Sequence, residues 1–337
     1  MVKTKFDSYC INGIAKGCEY CVKGEKLVLF VSGVCSRNCW YCSLSEKRKN
    51  KEFIFANERK CKNFKDIVKE VRESRATSAG ITGGDPLLFF DRTIKFATKL
   101  KKKFGKGFHI HIYLPTKFVT REKLQKLSKC VDEVRFHPEF LINKETISKD
   151  LEKIRTVGLY WNKPNIGIEL PMIPDKKREI LDFILKAKDF VGFVNLNEFE
   201  LSETNFDLIT KKYKLKEGGY VVAGSVEAGK WILNELSKKK INLKVHLCTA
   251  QLKNSWQFSN RLKLHKIFPY GKRTDDGTVI YLVVNGKLKI KGTFYDKKKN
   301  RTILSEETAK KLIGKLKIKR VEEFPTYDRI EVEEEIL

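Results

Sequence analysis

Three thiols stand within eight residues, Cys35-Ser-Arg-Asn-Cys39-Trp-Tyr-Cys42, directly after the apolar run from Leu27 to Val34. A short apolar run bounded by turn residues reads as a buried strand, so the thiols fall in a loop at its carboxyl end. Thiolates are ligands for soft metals, and a cubane iron-sulfur cluster has four irons to hold. Three cysteines in one tight loop leave one of those irons without a protein ligand, and an open iron is a place for chemistry. The plainer readings are a zinc knuckle or three ordinary thiols. Ahead of this loop, Cys10, Cys18 and Cys21 form Cys-x7-Cys-x2-Cys, a donor set for a second iron-sulfur cluster or a zinc ion. His246 and Cys248, expected to point inward at the end of the last strand, are the candidates for a fourth ligand. Cys61 and Cys130 sit near helix ends and read as small packing residues.

The second chemistry-bearing stretch is Thr82-Gly83-Gly84-Asp85-Pro86, at the end of the second strand. Paired glycines let the backbone approach a ligand and expose its carbonyls. Together the two motifs resemble those of the radical S-adenosylmethionine (SAM) superfamily, over roughly residues 27 to 250. That resemblance implies a [4Fe-4S] cluster on Cys35, Cys39 and Cys42, with Tyr41 beside it. It also implies SAM chelated on the open iron through its methionine amino and carboxylate groups, and reductive cleavage to a 5′-deoxyadenosyl radical by way of an external electron donor. Gly83 to Pro86 is similar to the Gly-Gly-Glu-Pro segment that holds the SAM amino group in the family, with Asp85 where the family has glutamate. The family's later strands hold ribose, adenine and carboxylate. By position the corresponding candidates are His109, His111, Arg135, His137, Glu169 and Asn195, with the Arg135 guanidinium suited to clamp a carboxylate. The run from Cys18 through Gly24-Glu-Lys-Leu-Val-Leu-Phe30 looks like a group of archaeal radical SAM proteins loosely related to pyruvate formate-lyase activating enzyme. The early cysteines resemble, at narrower spacing, the layout of the wyosine-forming tRNA enzymes.

These residues need a scaffold, and the hydrophobic pattern supplies one. Strands read near 78–82, 108–114, 131–137, 165–171, 193–201 and 241–247. Between them lie amphipathic helices: Phe64, Ile67, Val68 and Val71 behind an Asn63 cap, then Ile147, Leu151 and Ile154. Ile180, Phe183, Ile184 and Ala187 follow an Asp175 cap, and a last helix carries Trp231, Ile232 and Leu236. Six or seven βα repeats imply an α/β fold with a parallel sheet, a partial or complete (βα) barrel. Within the strands, apolar residues alternate with polar ones: Ile110 and Ile112 against His109, His111 and Tyr113, Val134 and Phe136 against Arg135 and His137. An ordinary parallel barrel reads as continuous apolar runs, so this alternation predicts a polar interior satisfied by a polar cofactor and substrate. The chain divides into a cysteine-bearing lead-in (1–26), the barrel (27–250) and a small α+β appendage (251–337). The appendage reads as a helix over 251–264, a hairpin of 278–284 with 287–294 around Asn285-Gly286, a further helix carrying Ala309, Leu312, Ile313 and Leu316, and an acidic end.

The 337 residues carry 69 Lys and Arg against 42 Asp and Glu, a formal charge of +27. Such an excess favours a polyanionic partner, because neutralising phosphates releases counterions. The expected substrate is therefore RNA, tRNA foremost. The alternatives are a protein or peptide substrate, as in glycyl-radical activation, and a non-enzymatic metal-bearing RNA-binding or electron-carrier module. No apolar stretch approaches the ~20 residues that span a bilayer, and the first residues lack a secretion signal's apolar core, so no membrane association and a cytoplasmic location are expected. The composition leaves the oligomeric state open.

Overall fold

The computed structural model describes residues 1–337. Seven parallel strands, β1 (Lys26–Phe30), β2 (Ser78–Thr82), β3 (His109–Pro115), β4 (Glu133–His137), β5 (Ile166–Met172), β6 (Phe193–Glu198) and β7 (Lys244–Cys248), pair in chain order. Helices α2 (Phe64–Ser74), α3 (Phe90–Phe104), α4 (Arg121–Ser128), α5 (Ile147–Val157), α6 (Lys177–Ala187) and α7 (Ser225–Lys238) make the crossovers, and a short α1 (Lys16–Val22) precedes β1. Antiparallel strands extend both edges: Ile54–Ala56 and Arg59–Cys61 beyond β1, Tyr9–Ile11 and Val2–Lys3 beyond β7. The sheet has eleven strands and does not close on itself, so the fold is α/β with a partial (βα) barrel. No helix is long and apolar enough to cross a membrane.

Local sequence explains the elements. Asn63 accepts from the Lys65 amide and Asp66 completes a capping box, while Arg75, in the left-handed region at φ 55°, ends α2. Asp175 does not cap α6: it lies in a single 3-10 turn, Pro174–Lys176, that leads into the helix. The apolar faces of the strands, Ile110, Ile112, Val134, Phe136, Ile168 and Leu196 among them, are buried against the helices in one 55-residue core. Residues 1–26 do more than lead in. Tyr9–Ile11 is a strand of the barrel sheet, and α1 lies inside the barrel, where a Cβ on Gly17 would meet Arg135 Nη2 at 2.6 Å and His111 Nδ1 at 2.7 Å.

Past β7 the expected 251–264 helix is split into a π-helical stretch, Leu252–Phe258, and an α-helix, Ser259–Leu264. A second, six-stranded antiparallel sheet follows. The expected hairpin around Asn285-Gly286 does not form. Val279–Asn285 pairs instead with Arg301–Leu304 and Lys319–Glu323, and Thr293–Asp296 forms its hairpin with Arg301–Leu304. The reason is burial. Every residue of Arg301–Leu304 is buried, whereas 287–292 carries three lysines that cannot enter a sheet centre. The helix over Ala309 and Leu312 ends there, leaving Ile313 and Leu316 exposed.

A buried ion network fixes Arg301 in the middle of that sheet. Arg329 donates to both Asp296 oxygens, at 2.9 and 2.6 Å, and to Glu323 Oε1 at 2.8 Å, while Arg301 reaches Asp296 at 3.1 Å and Glu323 at 2.5 Å. Burial alone would push the Asp296 pKa up, but Arg329 and Arg301 outweigh it and hold it below the usual range. Its stabilisation is therefore complete above the ordinary Asp pKa of about 3.9 and is lost as pH falls through the depressed folded value. Asp296→Ala leaves two buried guanidiniums short of acceptors and is expected to cost about 3–5 kcal/mol, read by urea unfolding. A loss below about 1 kcal/mol would contradict this account.

Candidate active site in the barrel mouth

The cysteine loop continues β1, and the Gly83-Gly84 strip continues β2, so the parallel pairing of these two strands brings the motifs together. Val31 N donates to Thr82 O at 2.9 Å, Gly84 N to Ser32 O at 2.8 Å and Asp85 N to Val34 O at 3.1 Å. The contact is too close for side chains. A Cβ on Gly83 would stand 2.5 Å from Ser32 O, and one on Gly84 would stand 2.4 Å from Val34 O. The glycines thus serve first to let the strip lie against the cysteine loop. Asp85 is fully buried, accepting from the Leu87 amide at 2.9 Å and from Ser36 Oγ at 3.2 Å. It fastens the loop from behind and, like Pro86, does not line the cavity.

Two further clamps hold the loop. Arg37, almost wholly buried, donates to His137 O and Thr116 Oγ1, each at 2.6 Å, crossing from the loop to the ends of β4 and β3. Thr116 in turn donates to Asp150 on α5. On the other side, Thr204 Oγ1 donates to Leu44 O at 2.6 Å, and Trp40 stacks on Tyr213 and meets Phe199 edge-on. The three thiols stay free and half-buried, and burial pushes the Cys39 thiol up to about 11. A bound cation is what would draw such thiols into the thiolate form.

Below the loop lies a cavity of about 520 Å³, within the range of small-molecule sites. Its lining includes Cys35, Cys39, Cys42, Tyr41, Gly83 and Gly84 at the mouth. Arg135, His137, Glu169 and Asn195 lie further in, with Cys18, Cys21, His246 and Cys248 on the α1 and β7 side. The donor set fits a cluster held by three cysteines with one iron left for an exogenous ligand, and the exposed Gly-Gly backbone fits the ligand's polar groups.

Glu169 ties the inner wall together. It accepts from Arg135 Nη1 at 3.3 Å, Asn195 Nδ2 at 2.9 Å and Asn197 Nδ2 at 2.8 Å. Burial would raise its pKa, but the Arg135 charge and these donors hold it below the carboxylate norm, so it stays ionised. Arg135, 1% exposed, also binds Glu133, whose other oxygen accepts the Gly17 amide at 3.0 Å. Much of the interior polarity is thus satisfied by the protein itself, not left for a cofactor and substrate.

Besides Asp85 and Pro86, three of the sequence candidates do not reach the cavity. His109 stacks on Tyr20 of α1 at 5.2 Å, His111 is sealed beneath Gly17, and Cys10, though in register with His246, does not line it. For the two histidines the physical reason is α1, which fills the amino-terminal end of the barrel. Conversely, Lys26, Arg37, Asn197, Glu198, Lys253 and Gln257 line the cavity without having been singled out as site residues. Lys26 was readable as the one charge entering an apolar strand. Lys253 and Gln257 were not, because a π-helical turn gives no sequence signal and only the fold brings it over the barrel.

The sequence matches the model of the Radical SAM superfamily over residues 29–189. It is 36% identical over 277 residues to a Methanocaldococcus jannaschii protein whose name assigns it, provisionally, to the glycyl-radical enzyme activating enzymes. That alignment covers 79% of this chain and 72% of the relative. Among solved structures, the Kitasatospora setae radical SAM methyltransferase TsrM, with cobalamin and a [4Fe-4S] cluster bound, aligns at a TM-score of 0.39 and 12% identity, over 75% of this chain and 54% of that one. The enzyme anSMEcpe, with AdoMet and the Cp18Cys peptide bound, aligns at 0.37 and 16%, over 65% and 62%. The chain thus spans about half to three-fifths of these solved structures, and at such scores the likeness carries no weight. With a superfamily match across β1 to β5 and a relative this similar over most of its length, the chain belongs to the radical SAM superfamily, enzymes whose cofactors are a [4Fe-4S] cluster and SAM.

Proposed function

We propose that this enzyme abstracts a hydrogen atom from a glycine residue of a partner protein, leaving a glycyl radical. The observation that carries the reading is the 36% identity, over 72% of its length, to a relative named for glycyl-radical enzyme activation. The cavity supports a protein substrate over RNA. Its charged lining residues, Lys26, Arg37, Lys49, Arg135 and Lys253 beside Glu169, Glu198 and Glu200, do not concentrate the chain's positive charge. Arg135 and Lys253 are each closed on a carboxylate, the latter on Glu200 at 2.7 Å. The RNA expectation finds no support among the relatives.

In this reading Cys35, Cys39 and Cys42 hold the cluster, with Tyr41 and Trp40 as apolar cover that limits solvent access. Held there and reduced by an external donor, the cluster would supply one electron for reductive cleavage of SAM, the chemistry that makes hydrogen abstraction from the substrate available. The protein's own contribution is placement. Carbonyls of Gly83 and Gly84 would accept from the SAM ammonium, Asp85 steadies the loop, and His137, Asn195 and ionised Glu169 would be available to the remaining polar groups. Arg135, spent on Glu133 and Glu169, acts as a positioning residue and not as the carboxylate clamp.

The test uses protein reconstituted anaerobically with iron and sulfide, given SAM and dithionite, and assayed for 5′-deoxyadenosine. Single Cys35→Ala, Cys39→Ala and Cys42→Ala substitutions are expected to abolish the product, and survival of cleavage in all three would overturn the assignment. For the substrate, a glycyl-radical enzyme carrying deuterated glycine is expected to pass deuterium into 5′-deoxyadenosine. Transfer from deuterated total tRNA, with none from the protein, would restore the RNA reading. Arg37→Ala is expected to lower SAM cleavage at least tenfold, with loss of iron from the loop, because the clamp to His137 O and Thr116 is gone. An unchanged iron content would show that the clamp is dispensable.

A further inference from the structure

Four more metal-type donors line the same cavity as the signature cysteines: Cys18 and Cys21 from α1, His246 and Cys248 from β7. Two of the three sulfurs face nitrogen donors. Arg135 Nη2 lies 3.4 Å and Asn195 Nδ2 3.3 Å from Cys18 Sγ, and Gln257 Nε2 lies 3.7 Å from Cys248 Sγ. His246 is 2% exposed, and its Nε2 is paired with Ser8 Oγ at 3.0 Å, while Nδ1 has no partner. A ring oriented by one nitrogen with the other left free is how a ligating histidine is usually set.

The spacing selects the kind of metal. His246 and Cys248 lie two residues apart on β7 and both line the cavity. A single zinc with Zn–S near 2.3 Å gathers its ligand atoms to about 3.8 Å from one another. No three of these donors come within 4.8 Å. The set that does, Glu70, Glu73 and His265, is bridged by Arg59, which donates to both carboxylates and takes the place of a cation. A polynuclear cluster spreads its ligands, because each sits on a different iron.

We propose that Cys18, Cys21, Cys248 and His246 hold a second [4Fe-4S] cluster, facing the first across the substrate cavity. Residues at opposite ends of the barrel sequence supply it, joined by the packing of α1 inside the sheet. Cys10, outside the lining, is not a ligand. The assignment stands whatever the substrate is, since it depends only on these donors.

Iron and sulfide counts after anaerobic reconstitution test it, with Mössbauer spectra to identify cluster type. The intact chain is expected to bind about eight irons, and Cys18→Ala/Cys21→Ala and Cys248→Ala about four. Cys10→Ala and Cys61→Ala are expected to keep the full count, and His246→Ala to change the spectrum of one iron site. The triple Cys35→Ala/Cys39→Ala/Cys42→Ala variant keeps the second site intact and is expected to retain about four irons with the spectrum of a [4Fe-4S] cluster. An empty triple variant would overturn the proposal even if the α1 substitutions fail to fold. So would stoichiometric zinc in place of the second set of irons, or a Cys10→Ala variant that loses half its iron. An intact chain that binds only about four irons, all of them kept in the triple variant, would instead count against the active-site assignment.

Discussion

A guanidinium buried at the centre of an open barrel is the constraint on which the interior depends. Arg135 is 1% exposed, and a charge so placed is tolerated only when it is paired and hydrogen-bonded. Glu133 on its own strand, Glu169 on the next and Cys18 on α1 supply the partners. Through these bonds Arg135 joins the sheet to the helix inside it. Glu133 completes the junction by accepting the Gly17 amide. The plug leaves the carboxyl ends of the strands as the open face, the face on which parallel barrels build their sites.

On that face the chemistry rests on backbone pairing more than on side chains. The ladder between β1 and β2 runs on past the strands, laying Gly83-Gly84 along residues 32–34, and the loop that carries the thiols inherits its position from it. Arg37 and Asp85 then act as clamps, one reaching across to β3 and β4, the other holding Ser36 and the turn after β2. Aspartate serves here because the carboxylate has only to reach Ser36 and its own Leu87 amide. The expectation that this carboxylate faces the ligand gives way to a supporting role.

The histidines show where pattern reasoning reached too far. Period-two alternation correctly put His109, His111, Arg135, Glu169 and Asn195 on the inner face, because a strand bearing helices on one side must turn its other residues inward. It did not distinguish the open end of the barrel from the end filled by α1. His111, against Gly17, is part of that packing, and burial lowers its pKa well below the histidine norm. The excess of lysine and arginine was likewise a property of the whole chain. Where the cavity lies, such charges are few and mostly paired.

The sequence by itself determined the βα order, the extents of the seven strands to within a few residues, the polar character of the interior and the two motifs of the mouth. Each of these is local: hydrophobic period, capping residues and cysteine spacing are written in contiguous segments. Tertiary structure decided what no segment contains. It brought the amino-terminal strand and helix into the barrel, placed Cys18 and Cys21 beside Cys248, and separated lining residues from plugged ones. It also gave the place beside Val279–Asn285 in the second sheet to Arg301–Leu304, not to the segment after Asn285-Gly286. Those outcomes depend on which buried charges find partners and which faces find cover, a competition among segments distant in sequence.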